Sequence, residues 1–353
     1  MRRRFLAIAG FVAMASSVGS AMAQTASMIL PEEWSAYQAA FVGTDGRVVD
    51  TGNAGISHSE GQGYGLLLAV LAGDRASFER IWSFTRTELM VRDYGLAAWR
   101  WEADRTPHIA DANNATDGDM LIAYALALAG KAWDDPDKTK AATALVQTIG
   151  DMLIGDFEGL ATIAPAAAGF SAEDRPDGPV INPSYWVFEA FPVFAQLTPG
   201  IDWQKVASDG LELLHRARIY PAMLPPDWVS LQGGDIRPAD GFPPEFGYNN
   251  VRIPLYMMRA GVDARYLKPY DEIGNAEGLG RVQVTTNTVM ERLGEPGYRL
   301  IQAAVDCTLK ATPIPAELQT LTASTYYAAT LQLLLLDHLR RNQPECLGVE
   351  ATP

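Results

Sequence analysis

Only two cysteines, Cys307 and Cys346, occur in the 353 residues, which excludes a disulfide-dense scaffold and a cysteine-rich zinc site. The four histidines, at positions 58, 108, 215 and 338, show no HxH or HExxH spacing, so no metal-ligand motif is present. The absence of a GxSxG elbow disfavours a serine hydrolase. Glycines 61, 63 and 65 read GxGxG rather than GxGxxG, with no strand signal before them, so a dinucleotide site is not expected either. Basic side chains are in deficit: 28 Lys plus Arg face 42 Asp plus Glu, a net charge of −14. A nucleic-acid partner is therefore not expected, because binding a polyanion needs a basic footprint. Beyond the N-terminus no apolar run reaches the ~18 residues of a membrane span.

The first residues are the exception to the basic deficit. Arg2, Arg3 and Arg4 precede an apolar stretch over residues 5–15, and Ala21-Met22-Ala23 forms a small-x-small site before Gln24. That is the pattern of a signal peptide over residues 1–23, leaving 24–353 as the mature chain. A secreted or periplasmic location is expected, with no membrane span once the signal is removed. In such a compartment Cys307 and Cys346 could pair, although two buried free thiols fit the sequence equally well.

What the chain has in quantity is helical periodicity, with apolar residues at i, i+3, i+4 and i+7. Met120, Ala123, Tyr124, Ala127 and Leu128 mark one face and Leu331, Leu334 and Leu335 another. Eleven helices are predicted, near residues 32–41, 62–73, 75–90, 117–133, 138–152, 183–196, 202–219, 250–260, 263–274, 297–310 and 322–340. Short extended pieces are expected at 41–51 and 97–102, as decoration in loops. His338 extends the Leu331 face and reads as a satisfied core residue. With 48% hydrophobic residues and no linker of distinct composition, one closed all-helical domain over 24–353 accounts for the chain better than two. The longest irregular stretch, 220–249, is rich in Pro and Gly and carries Trp228; loops of that length are usually functional.

Two segments carry candidate chemistry. Ser57-x-x-Glu60 and Ser59-x-x-Gln62 are capping-box patterns at the start of a helix, but three nearby glycines weaken the helix by about 1 kcal/mol each. They make sense if a ligand or another backbone must come close. Thr116 is a plausible N-cap for the second segment, where Asp117 and Asp119 place two acids in a first turn. Carboxylates so close repel each other, and desolvation would raise the proton affinity of one. Trp99, Trp101, Tyr185, Trp186, Trp228, Phe246 and Tyr248 supply aromatic surface near loops containing Asp, Asn and Arg, the composition of a sugar-binding cleft.

Residues 59–65 (SEGQGYG) and 115–133 (ATDGDMLIAYALALAGKAW) resemble the signature segments of glycoside hydrolase family 8. Asn182-Pro183-Ser184-Tyr185-Trp186 and the segment from Tyr248 to Arg252 resemble further blocks in the same order. The resemblance implies an all-α (α/α)6 barrel and inverting hydrolysis of β-1,4-glycans; because sugar chains are neutral, no cofactor and no metal is expected. It assigns Glu60 as general acid and Asp117 as the acid at the cleavage point, with Trp101, Asp119, Tyr185, Asn249 and Arg252 as sugar contacts. Inversion needs a carboxylic acid on the leaving oxygen and a carboxylate on the attacking water. The acid must hold its proton near neutral pH, so burial or a neighbouring acid is expected to support it.

The family's usual base is an Asp in a Tyr-Asp-x-x-Arg context, whereas this chain reads Tyr248-Asn249-Asn250-Val251-Arg252. Asp117, Asp235, Asp240 and Glu245 are the candidate substitutes. The leading expectation is an endo-β-1,4-glucanase acting on cellulose chains, most similar to bacterial glucanases associated with cellulose synthesis, with the synthase machinery as a candidate partner. A chitosanase or xylanase of the same family is the alternative, as is a glycan-binding protein that has lost its base.

Overall fold

A computed structural model describes residues 28–349; the expected signal peptide lies outside them. Eleven α-helices carry the architecture: α1 (Pro31–Phe41), α2 (Ser59–Leu71), α3 (Arg75–Phe84), α4 (Thr116–Ala132), α5 (Pro136–Leu153), α6 (Phe191–Leu197), α7 (Trp203–Arg216), α8 (Ile253–Arg259), α9 (Lys268–Asp271), α10 (Pro296–Lys310) and α11 (Tyr326–Asn342). They form an (α/α)6 barrel: α2 packs on α3 and α4, α4 on α5, α6 on α7 and α10 on α11, and α11 returns to α1 and α2 to close the ring. The closure is pinned by Arg340, whose two terminal nitrogens each lie 2.7 Å from Glu33 of α1. Among the described residues no helix is long and apolar enough to cross a membrane.

The predicted helices match these elements closely, and the differences have local causes. The predicted run to 90 leaves α-geometry at Thr85, where a π-helical turn, Thr85–Leu89, follows α3. The segments predicted at 183–196, 250–260 and 263–274 each begin as 3-10 turns, at Pro183–Tyr185, Asn250–Arg252 and Ala264–Leu267. Buried Leu66, Leu67, Leu121, Leu126, Leu333 and Leu335 are fully shielded, each contributing about 1.5–3 kcal/mol. His338 is only half satisfied: Asn342 meets its Nδ1 at 3.1 Å, while Nε2 has no partner among the described residues. Burial, then the Arg259 charge, lowers its pKa to about 4. Cys307 and Cys346 form a disulfide between α10 and the C-terminal segment.

Strands are short and antiparallel: β1 (Ser57–His58), β2 (Arg100–Trp101), β3 (Ile154–Phe157), β4 (Leu160–Ile163), β5 (Val180–Ile181), β6 (Val229–Ser230), β7 (Arg237–Pro238), β8 (Glu245–Phe246), β9 (Gly274–Asn275), β10 (Gly278–Gln283) and β11 (Thr288–Leu293). β1 pairs β2, β3 pairs β4, and β5, β6 and β7 form a three-stranded sheet. β10 pairs β11, β8 and β9 in a four-stranded sheet. This last sheet was not expected from the sequence; it buries Leu279 and Val282 against the helices while most of β11 stays exposed. In the predicted extended region 41–51 there are only isolated bridges, Val42 to Val48 and Asp50 to Ile56.

Candidate active site

The mouths of α2 and α4 meet at glycine. A β-carbon on Gly118 would stand 2.7 Å from the backbone nitrogen of Glu60, and one on Gly63 would stand 2.6 Å from Cβ of Leu121. The glycines therefore admit another backbone, and this contact brings Glu60 and Asp117 side by side. Neither acid is consumed by capping. His58 caps α2, its Nδ1 accepting from Gly61 N at 3.0 Å, in place of the expected serine boxes. The buried Gln62 instead receives the Val48 amide at 2.6 Å and donates to Thr85 Oγ1 at 3.0 Å. Thr116 is not an N-cap either; α4 is preceded by Ala115 without a side-chain cap, and Thr116 Oγ1 donates to Ala164 O at 2.6 Å.

Arg252, fully buried at the start of α8, clamps the two acids. Nη1 donates to Glu60, while Nη2 donates to Asp117 Oδ2 at 2.6 Å and to Ser184 Oγ at 2.9 Å. The Asn182-Pro183-Ser184 turn orients that serine, whose hydroxyl donates to Asn182 Oδ1 at 2.8 Å. The guanidinium also lies 5.7 Å from the Tyr185 ring and 5.8 Å from Tyr256. Glu60 keeps 20% of its side chain exposed, against 3% for Asp117. Burial raises the pKa of Asp117, opposed by Arg252 and reinforced by Glu60.

A cleft of about 550 Å³ opens above the two carboxylates. Tyr185, Trp99, Tyr248, Tyr298, Tyr326 and Tyr327 supply aromatic wall, and Asn249, Asp50 and Glu295 add polar groups. The tyrosine wall is braced internally, with Tyr327 donating to the Tyr248 carbonyl at 3.1 Å. Rings flanking planar polar groups suit a sugar chain, whose faces are apolar and whose edge carries hydroxyls. Among the described residues no group of His, Cys, Asp or Glu is arranged to hold a metal ion.

Of the expected sugar contacts, Tyr185 and Asn249 line the cleft, while Arg252 lies beneath it, bound to both acids. Two expectations need correction. Trp101 does not line the cleft; it is buried in the wall against Phe84, with ring centroids 5.3 Å apart, and His108, at 4.4 Å. Trp99, two residues earlier, lines the cleft instead. Asp119 is fully buried, accepting from Ala97 N at 2.8 Å and Asn114 Nδ2 at 2.9 Å. Burial pushes its pKa up to about 8 despite those bonds. It ties α4 to the loop carrying Trp99 and cannot reach a ligand.

The base candidates separate in the same way. Asp240 is exposed and paired with Arg237 at 2.8 Å, Asp235 is exposed, and Glu245 pairs with Arg281 at 3.1 Å. None of these three lines the cleft; only Asp117 does. Sequence reasoning missed Asp227. This buried residue accepts from the backbone nitrogens of Gly247 at 2.8 Å and Asn250 at 3.2 Å, and from Asn249 Nδ2 at 3.2 Å. Burial raises its pKa to about 6 against those hydrogen bonds.

Residues 6–340 match the model for glycosyl hydrolases family 8. The chain belongs to glycosyl hydrolase family 8. Within the family it is 36% identical over 338 residues to a "Probable endoglucanase" of Novacetimonas hansenii, covering 94% of this chain and 96% of the relative. It is 37% identical over 252 residues to an endoglucanase of Cellulomonas uda, covering 70% of this chain and 69% of that protein. Among solved family structures, an endo-β-1,4-glucanase from an Achatina fulica gut metagenomic library superposes with a TM-score of 0.79 at 36% identity, covering 88% of this chain and 98% of that one. Endo-β-1,4-glucanase CMCax of Acetobacter xylinum gives 0.79 at 33% identity, covering 89% and 98%. The glycoside hydrolase assignment thus rests on similarity along nearly the whole chain.

Proposed function

We propose that this family 8 enzyme is an exported endo-β-1,4-glucanase that hydrolyses internal bonds of cellulose chains with inversion. The observation that carries the reading is the pair of acids, Glu60 and Asp117, held by one buried guanidinium beneath an aromatic cleft. Glu60, the more open of the two, is the general acid that protonates the leaving oxygen. Asp117, at the floor, holds the sugar at the cleavage point, and Tyr185 and Trp99 position the chain by stacking. Export follows from the pattern of residues 1–23, and a role beside bacterial cellulose synthesis follows from the resemblance to glucanases of that setting.

Charge supports a second substrate class. Four acidic side chains, Asp50, Glu60, Asp117 and Glu295, line the cleft, and among the described residues no Lys or Arg lines it; Arg252 beneath offsets part of that charge at Glu60 and Asp117, and the remaining acidic field attracts cationic chitosan. Reducing-end release from carboxymethylcellulose, chitosan and xylan decides between them. Turnover of carboxymethylcellulose, falling ~10²–10⁴-fold in Glu60→Gln, is the expected outcome. Activity on chitosan alone would replace the cellulase reading. Oligosaccharide binding with a wild-type rate no better than Glu60→Gln would make the protein a binding module.

A further inference from the structure

The position of the usual base holds Asn249, whose amide cannot keep a proton taken from water near neutral pH. Against Asn249, and not among the residues lining the cleft, lies Asp227, 5% exposed. The backbone nitrogen and Nδ2 of Asn249 both point to Asp227 Oδ2, at 3.3 and 3.2 Å. A carboxylate only accepts hydrogen bonds, so the amide nitrogen is committed to Asp227. The amide oxygen is then the acceptor left for a ligand in the cleft that Asn249 lines. The other groups around Asp227 are the backbone nitrogens of Gly247 and Asn250, Tyr185 within electrostatic range, and Glu245 across Gly247.

We propose that Asp227 is the proton acceptor of the hydrolytic step and acts through Asn249, which orients the attacking water and relays its proton. The proposal rests on the glucanase reading above. As the water oxygen bonds to the anomeric carbon, the glycosidic C–O bond breaks and Glu60 gives its proton to the leaving oxygen. The water proton passes to Asn249 Oδ1 while the Nδ2 proton of Asn249 passes to Asp227 Oδ2. The amide becomes its imidic acid tautomer and Asp227 a carboxylic acid. Reversal of the relay discharges the proton to solvent, and Glu60 regains one from solvent, so no other reactant is needed. Asp227 touches no substrate and is a positioning and proton-accepting residue behind Asn249. A buried carboxyl with a raised pKa suits an acceptor working near neutral pH.

The test is a double-mutant cycle read by kcat, KM and pH profile on carboxymethylcellulose. Asp227→Asn alone should lower kcat about 100-fold or more with KM little changed, and abolish the acid limb of the profile near pH 6. Asn249→Asp places a carboxylate directly on the water, so that variant should stay active; its carboxyl then lies about 3 Å from Asp227, and its acid limb reports the pair rather than Asp227 alone. In the Asn249→Asp background, Asp227→Asn should then cost less than about 5-fold, because the relay is bypassed. Asp227 also holds the backbone of residues 247–250, and a merely structural role predicts the same loss in both backgrounds. That result, or an unchanged acid limb in Asp227→Asn, overturns the relay. Wild-type protein that releases no reducing ends from any of the three glycans refutes the glycosidase reading itself, and the relay with it.

Discussion

Replacing Gly118 by alanine perturbs the contact that creates the site. The new β-carbon would lie 2.2 Å from Ser59 Oγ and 2.7 Å from both Ser59 C and Glu60 N. The serine hydroxyl can rotate away, but the backbone atoms cannot. Carbon contacts relax to about 3.5 Å, so the first turn of α2 must retreat by about 0.8 Å, carrying Glu60 with it. Overpacking of this kind costs about 1–3 kcal/mol, which for a chain of this size is a fall in Tm of roughly 1–4 °C. A displacement near 1 Å within a reacting constellation costs about 100-fold in rate. Thermal unfolding and reducing-end release from glucan measure the two effects on one preparation. Gly200→Ala, whose β-carbon meets nothing within 4 Å, is the control and should leave both unchanged. Wild-type Tm and rate in Gly118→Ala would refute the claim that α2–α4 contact positions the acids.

Three further outcomes are expected. Arg252→Met removes the cation between Glu60 and Asp117 and should destabilise by about 3–5 kcal/mol at pH 7, measured by urea denaturation; a loss below about 1 kcal/mol would show that the clamp is not structural. Asp227 and Asp119 have pKa values raised to about 6 and about 8 in the folded state, so folding binds protons and their contribution is full below about pH 4 and lost as pH rises through 6 and 8. Tm should therefore fall between pH 5 and pH 8, and a rise across that window would contradict the burial argument. Trp99→Ala should raise KM with Tm nearly unchanged, whereas Trp101→Ala should cost about 3–5 kcal/mol of stability; the reverse pattern would return Trp101 to the cleft.

The helices were legible because each needs one apolar face over several turns, and that face leaves a period in the sequence. Their ends were less so: the 3-10 starts at Pro183 and Asn250 follow from packing of Arg252 and Ser184, which no period records. The sheet of β8, β9, β10 and β11 was hidden because Gly278 and Gly280 interrupt the alternation of β10. Glu60 and Asp117 were singled out from their segments and the structure brings them together; of the three glycines beside Glu60 only Gly63 meets another backbone, while Gly61 and Gly65 face side chains. Asp119 could have been set aside from the sequence, since two residues along a helix is about 200° of rotation and takes it away from the face of Asp117. Choosing Trp99 over Trp101 depends on the pairing of β2 with β1, which the Trp99-Arg100-Trp101 sequence does not reveal. Asp227 left no signal, because its meaning arises only from its contact with Asn249, 22 residues away.

If the acids on the cleft floor cleave a β-linked glucan by single displacement, the configuration at the anomeric carbon inverts. Proton NMR of the product formed in the first minutes, before mutarotation, tests this most directly. Inversion predicts the α-anomer as the first species. A β-anomer appearing first would contradict it and require a covalent intermediate.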